Sequence, residues 1–547
     1  MFNSQSRIEN VIKIAAITEI CTVINQLMGF VYRTIFLMYL SNVYLGINGL
    51  FVNILQLLSL ADLGIGTAIT FRFYKPIKEG NINKVGALMI YFKTVYRIIL
   101  LVIISIGIMI IPFLNFFIKD SSEIPNDVNI LIVYLLFLTQ TAVSYTFAYK
   151  HTLLTVDQRQ HTLSVVQSAL TFVKYIMQIV ILIVSRNFTM TLIISIGISI
   201  LGNFIISIYV TKQYKEVFSS VEKLTKDEKR VILVDTRACM FHKIGGRVLT
   251  STDSIILSKF VGIISVGIYA NYSLIITSIN NLASQIFSNT TASLGNMAVS
   301  LDASKRYAIY KKMLFVNLWV ASSLAACIYV LINPFIRLWV GDDSLLSTFT
   351  VSCLTAQFYL GLTRQINIAF TSANGLFVKD MYRPVIEAGL NLVMSIILVK
   401  YLDIAGVFLG TVISSLLTVT WREPYLLFKY DFKCSTRDYW LMYSLFTSLT
   451  IFDCILFSKF IVFPINSFIS WMGAGVLTFG LTQVIMMLLF KKKVEFAYLK
   501  NIVIQFSKKL LKKNNKAYSV LRSFKIKGVG PKKYTIRGKT LWKDSTK

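Results

Sequence analysis

Apolar runs of about twenty residues or more recur along this 547-residue chain, and no other feature constrains its fold as strongly. Fourteen can be marked, near 12–40, 45–71, 88–118, 128–149, 161–184, 188–211, 236–258, 263–290, 312–338, 345–370, 382–400, 405–428, 439–459 and 466–490. A helix rising about 1.5 Å per residue crosses a hydrocarbon core of about 30 Å in about twenty residues. Within that core backbone amides find no water, so runs this long and uniformly apolar must satisfy their own hydrogen bonds as helices. The chain therefore reads as an all-α polytopic membrane protein with about 14 transmembrane helices. Its 15% of charged residues agrees, since a soluble domain carries about 25%.

The net charge of +30, from 56 Lys and Arg against 26 Asp and Glu, would point to nucleic acid in a soluble chain. Here it is sorted by loop. One set of alternate loops carries Arg72, Lys75, Lys78 and Lys84, then Lys150 and Arg159, then Lys212, Lys215, Lys223, Lys226, Lys229 and Arg230. The same set continues with Lys305, Arg306, Lys311, Lys312, Lys379, Arg383, Lys429, Lys433 and Arg437. The other set offers Lys119, Arg186, Lys259, Lys400 and Lys459, and holds the acidic segments KDSSEIPND (119–127) and GDD (341–343). Basic loops stay in the cytoplasm. A multi-pass plasma (inner) membrane protein with both termini cytoplasmic is expected, and no nucleic-acid partner.

Six cysteines, at 21, 239, 327, 353, 434 and 454, form no CxxC, and His151, His161 and His242 lack ligand spacing. Neither a disulfide framework nor a metal site is expected, and no cofactor. Residues 1–10 are polar and the first apolar run is too long for a signal peptide, so none is expected.

The loop 212–235 is the longest and most charged. It divides an expected N-terminal six-helix lobe (1–211) from a C-terminal six-helix lobe (236–428), with two additional helices (429–490) and a basic tail (491–547). A faint internal repeat supports two lobes. The segment FLMYLSNVYLGINGLF starts at 36, and LSKFVGIISVGIYANY starts 221 residues later, at 257; each places a Gly-Ile pair at the head of the following helix, at 46–47 and 267–268. Internal repeats are a common plan for transporters. In the tail, Phe496, Leu499, Ile502, Val503, Phe506 and Leu510 recur at near-helical spacing among lysines, the pattern of an amphipathic helix on the anionic inner leaflet. Residues 514–547 read as disordered.

The charges inside the spans carry the functional argument. Each ionised side chain at bilayer centre costs about 2.5–3.5 kcal/mol on the insertion scale. The cations are Arg33, Lys174, Arg247 and Arg364, two from each lobe; the carboxylates are Glu19, Asp62, Asp253, Glu387 and Asp453. Facing one cleft, the four cations would make an electropositive chamber suited to a phosphorylated cargo, because Arg grips phosphate oxygens in pairs and Lys adds a point charge. Glu19, Asp62, Asp253 and Glu387 are either ion-coupling or structural carboxylates, and Asp453, in the added pair of spans, reads as structural. For Arg33 the other reading is snorkelling to the outer interface. Arg247 and Asp253 stand six residues apart on one helix and face different ways, so they do not pair with each other.

The segments YLGINGLFVNILQLLSLADLGIGTAI (44–69), FRFYKPIKEGN (71–81), HKIGG, TDSIILSKFVG and VGIYANY within 242–272, FIRLWVG (335–341) and VKYLDIAGVFLGTVIS (399–414) resemble polysaccharide repeat-unit (O-antigen/capsule) flippases of the Wzx type. That family lies in the multidrug/oligosaccharidyl-lipid/polysaccharide exporter superfamily. The resemblance covers about residues 8–490. It implies a two-lobed, alternating-access exporter fold that moves undecaprenyl-pyrophosphate-linked oligosaccharide outward for capsule, exopolysaccharide or other surface polysaccharide, using basic cavity residues from both lobes. It also implies ion coupling in relatives. A polysaccharide polymerase and a chain-length regulator are candidate partners. A multidrug/cation antiporter on the same scaffold is the alternative, against which the cationic roster argues, and a lipid II flippase is a further one. An enzyme is not expected: the longest outer loop is about ten residues and holds no catalytic constellation.

Overall fold

The computed structural model describes residues 7–501 apart from 60–64, 120, 158, 221, 289, 291–293, 296, 298–300 and 461–464, together with residue 504 and strands 534–536 and 539–541. The first lobe comprises α1 (Arg7–Tyr39), α2 (Asn42–Leu58), α3 (Ile65–Glu79), α4 (Ile82–Ile110), α5 (Ile130–Val156), α6 (Gln160–Ser185) and α7 (Phe188–Gln213). The second comprises α8 (Lys226–Phe260), α9 (Ile263–Ser288), α10 (Ala303–Trp339), α11 (Thr348–Thr363), α12 (Gln365–Ala373), α13 (Arg383–Leu417) and α14 (Val419–Leu427). Helices α15 (Arg437–Phe460) and α16 (Phe468–Phe490) follow.

Among the described residues ten helical stretches are by themselves long and apolar enough to span a membrane. One of them, 378–432, contains two crossings joined at Asp403, whose φ of 47° breaks α13 into two antiparallel runs. The crossings built on α2, α8 and α11 are short or carry charge. Fourteen crossings result, as the apolar runs require. Helix starts follow local chemistry: the side chains of Asn81, Asn129 and Asn187 accept the third amide of α4, α5 and α7, and Thr225 with Glu228 forms a reciprocal capping box at α8.

Each lobe has its own core. In the second, Tyr310, Phe315, Leu318 and Phe370 are buried in one large cluster that also takes in Phe446 and Phe490. The added helices therefore dock on α10: the Phe446 and Phe490 rings stack at 4.7 Å, Phe315 meets both edge-on, and Trp319 and Trp471 donate to Gln483 and the Leu331 carbonyl. The first lobe has two smaller clusters, one around Phe51, Tyr134 and Phe137 and one around Phe73, Phe92 and Leu153. Elsewhere large apolar side chains such as Val184, Ile469 and Val476 are exposed, as a lipid-facing surface requires.

The lobes are sealed together at the end opposite the basic loops. Here α2 and α9 cross with almost no space between their backbones. A Cβ on Gly46 would lie 2.1 Å from the Ile263 carbonyl oxygen, and one on Gly267 would lie 1.9 Å from that of Asn42. Gly46 and Gly267 are 221 residues apart, and so are Asn42 and Ile263. The Gly-Ile repeat of the sequence is thus one contact made twice, around an axis that relates the lobes. Asn42 also donates to Ser344, Asn271 to Asn42, and Trp339 to Thr34, which ties α1 and α2 to the second lobe.

Residues 494–501 form a helix, and Phe496 lies 5.6 Å from the Trp319 ring. Phe496 and Leu499 thus pack on the protein rather than on lipid; Ile502, Val503, Phe506 and Leu510 lie outside the described residues. In the stretch read as disordered, Tyr534–Ile536 pairs antiparallel with Lys539–Leu541 as a short β1–β2 hairpin, and the rest lies outside the described residues.

Adding one methyl group at Gly46 or Gly267 forces the sealed end apart, since a backbone oxygen cannot give way as a side chain can. Gly46→Ala and Gly267→Ala are each expected to cost about 1–3 kcal/mol of stability and to raise labelling of a cysteine at Asn42 by a membrane-impermeant maleimide. Gly389→Ala, where nothing lies within 4 Å, should change neither; equal labelling in all three would refute the contact.

Candidate functional site

Two of the four intramembrane cations stand at the junction of the lobes. Arg33 on α1 reaches across to α9 and donates from Nη1 to the Asn271 side-chain oxygen at 3.2 Å. Arg247 on α8 is exposed and donates to Gln56 of α2 at 3.3 Å. Asn53 of α2 donates to Ser254 of α8 at 3.0 Å, deepening the same seam. No ion pair holds either arginine among the described residues. A side-chain amide satisfies a guanidinium N–H without cancelling its charge, so both stay available to an anion.

Lys174 lies elsewhere. It sits on α6, half-buried, in a chamber of about 490 Å³ enclosed by α1, α5, α6 and α7. The lining includes Asn25, Gln140, Ser144, Gln167, Ser168 and Asn203, and among the described residues no carboxylate. Asn25 donates to Ser168 at 3.0 Å while its own carbonyl oxygen is buried without a partner. The Lys174 ammonium lies 5.3 Å from the centre of the Tyr175 ring, and that ring is 5.3 Å from Tyr32, the neighbour of Arg33.

The second lobe has a chamber of about 370 Å³ lined by Thr250, Asp253, Tyr269, Ser273, Arg364, Glu387 and Thr411, among others. Asp253 is 3% exposed and one of its oxygens has no partner. Nearby Asn391 donates to Thr411 at 2.7 Å, and its own carbonyl oxygen is also unpartnered. Arg364 is not the free cation the sequence suggests. Its guanidinium donates twice to Glu423, at 2.6 and 3.3 Å, and lies 4.0 Å from Glu387. Glu387 and Glu423 are shared with Arg383, which also binds Asp380 at 2.6 Å, and Arg422 lies 3.7 Å from Asp380. Three cations and three carboxylates cancel, because charges taken this far out of water persist only when paired. Glu387, bonded to Arg383 and Ser415, belongs to this cluster.

The four cations therefore do not converge on one cavity: Arg33 and Arg247 share the seam, Lys174 has its own chamber, and Arg364 is neutralised. Asp62 and the side chain of Glu19 lie outside the described residues. Asp453 is fully buried in α15 with neither oxygen bonded. Sequence reasoning missed Glu423 and Arg422, although both lie inside the apolar run 405–428, and it passed over the uncharged Gln56 and Asn271, which no charge count reveals.

No protein-family model matches the chain, and no curated protein matches it in sequence. Among solved structures it is similar to the lipid II flippase MurJ in an inward closed conformation, with a TM-score of 0.62 and 14% identity over 86% of this chain and 98% of that one. It is also similar to an inward-facing multidrug resistance MATE-family transporter of the MOP superfamily (TM-score 0.55, 13% identity, 75% and 98% covered) and to the Vibrio cholerae MATE transporter VcmN (0.51, 13%, 77% and 98%). The fold is that of the MOP-superfamily exporters.

The charge cluster predicts strong coupling. Arg364→Gln or Glu423→Gln alone leaves an unpaired buried charge and should destabilise the protein by about 3–5 kcal/mol. The double variant should lose clearly less than the sum in thermal unfolding of the detergent-solubilised protein; additive losses would mean the pair is not coupled.

Proposed function

We propose that this protein is a flippase that carries undecaprenyl-pyrophosphate-linked oligosaccharide repeat units across the plasma membrane for capsule or other surface polysaccharide, its basic loops and both termini facing the cytoplasm. The observation that carries this reading is the pair Arg33 and Arg247, one from each lobe, at the seam and held by amides alone. A pyrophosphate offers both guanidinium groups charge-assisted bonds that Asn271 and Gln56 do not. Sealing at the far end by the glycine crossing supports a state that loads from the cytoplasm. Release outward then requires that crossing to part and the basic end to close, the rocking expected of two related lobes about a fixed site.

Asp253 is the carboxylate proposed for ion coupling: it is buried, lines a chamber and keeps an unpaired oxygen. Glu387, committed to arginines, is not. The likeness to a lipid II flippase supports lipid II as a second cargo reading. A drug/cation antiporter gains nothing from unpaired arginines at the seam.

Deletion of the gene should strand lipid-linked repeat units on the cytoplasmic face; stranded lipid II or a retained toxic compound would replace the reading by the corresponding alternative. With protein abundance unchanged, Arg33→Ala and Arg247→Ala should each reduce export about ten- to a hundredfold, the equivalent of about 1.5–3 kcal/mol for a hydrogen bond to a charged group. Export at the wild-type level in both variants would end the proposal.

A further inference from the structure

The chamber of the first lobe calls for a ligand different from the one at the seam. On α6 the residues Ser164, Gln167, Ser168, Thr171 and Lys174 fall at helical spacing on one face, and all five line the chamber. Ser164 is near the basic end of the helix, and Lys174 lies about 15 Å deeper at about 1.5 Å per residue. Opposite stand amides and hydroxyls from α1, α5 and α7. Such a wall offers donors and acceptors side by side, which is what the hydroxyls of a sugar, each both donor and acceptor, can satisfy. Its volume of about 490 Å³ falls within the range of about 300–1,000 Å³ that holds a small ligand. Among the described residues the lining holds one charge, Lys174, no carboxylate, and no ion pair to that lysine. A half-buried ammonium in that position attracts an anion that enters.

Resting on the transport reading above, we propose that this chamber is the saccharide subsite of the cargo, and that Lys174 binds a carboxylated (uronate-type) sugar in it while Arg33 and Arg247 hold the pyrophosphate. The two sites adjoin. Tyr175 lies between the Lys174 ammonium and Tyr32, and its hydroxyl is within electrostatic reach of Arg33. A single amphiphile can therefore place its phosphates at the seam and its first sugars in the chamber. Among the described residues the second-lobe chamber has no equivalent free cation, because Arg364 there is paired with Glu423. The load is one-sided.

Cys21, which lines the chamber, provides a reporter. In the full-length purified protein with its other five cysteines replaced by alanine, N-ethylmaleimide alkylation of Cys21 is followed with three probes: a glucuronate-containing hyaluronan tetrasaccharide, neutral maltotetraose, and inorganic pyrophosphate. The acidic tetrasaccharide is expected to slow alkylation about fivefold or more, at concentrations about tenfold below those the neutral one needs, a difference equivalent to about 1.4 kcal/mol. Lys174→Gln should abolish that advantage and leave the neutral effect, and Lys174→Arg should keep it. An unchanged alkylation rate without ligand shows that each variant is folded. No protection by either saccharide, equal protection by both, or pyrophosphate protecting better than the acidic saccharide would each overturn the assignment. If protection fails while deletion of the gene still strands lipid-linked saccharide, the chamber assignment falls and the transport reading stands.

Discussion

The close crossing of α2 and α9 is the contact on which the rest of the architecture depends. Two glycines let two backbones touch, and they do so reciprocally, each lobe presenting a glycine to a carbonyl of the other. In a membrane, helices gain little from the hydrophobic effect because lipid is as apolar as their side chains, so contact at van der Waals distance is the available glue. The crossing brings α1, α2, α8 and α9 together and thereby creates the seam where Arg33 and Arg247 stand. Without it the two arginines would lose their amide partners across the lobes.

Electrostatics divides the molecule unequally. The seam holds cations whose charge is undiminished, and the first-lobe chamber holds one more. The second lobe buries six further charges but cancels them among Arg364, Arg383, Arg422, Asp380, Glu387 and Glu423. Asp253 and Asn280 are left there, each with an unsatisfied oxygen beside open space.

Much of this was legible from residues alone. The apolar runs mark the fourteen crossings because hydrocarbon allows the backbone no alternative, and the Gly-Ile repeat at 46 and 267 marks the two matching turns. The repeat did not reveal that those turns touch each other, since spacing along a chain is silent about which faces meet. The fate of Arg364 was illegible for a similar reason: its partner Glu423 is 59 residues away, in a run that reads as uniformly apolar around a Trp-Arg-Glu-Pro stretch. A free and a neutralised arginine look alike in a sequence. The polar face of α6 went unread in the sequence, because a stripe of Ser, Gln and Thr has no meaning until three other helices stand around it.

The ion cluster at the basic end of the second lobe differs in kind from the bridges on the surface. Its carboxylates are almost inaccessible, whereas pairs such as Lys311 with Asp438 and Lys75 with Glu79 stand in solvent. Dissolved salt screens exposed charges separated by more than about one Debye length, roughly 3 Å at 1 M, and reaches buried ones far less. Brine will therefore loosen the rim of this protein and leave the buried latch of its second half fastened, so that rim and latch weaken in different solutions.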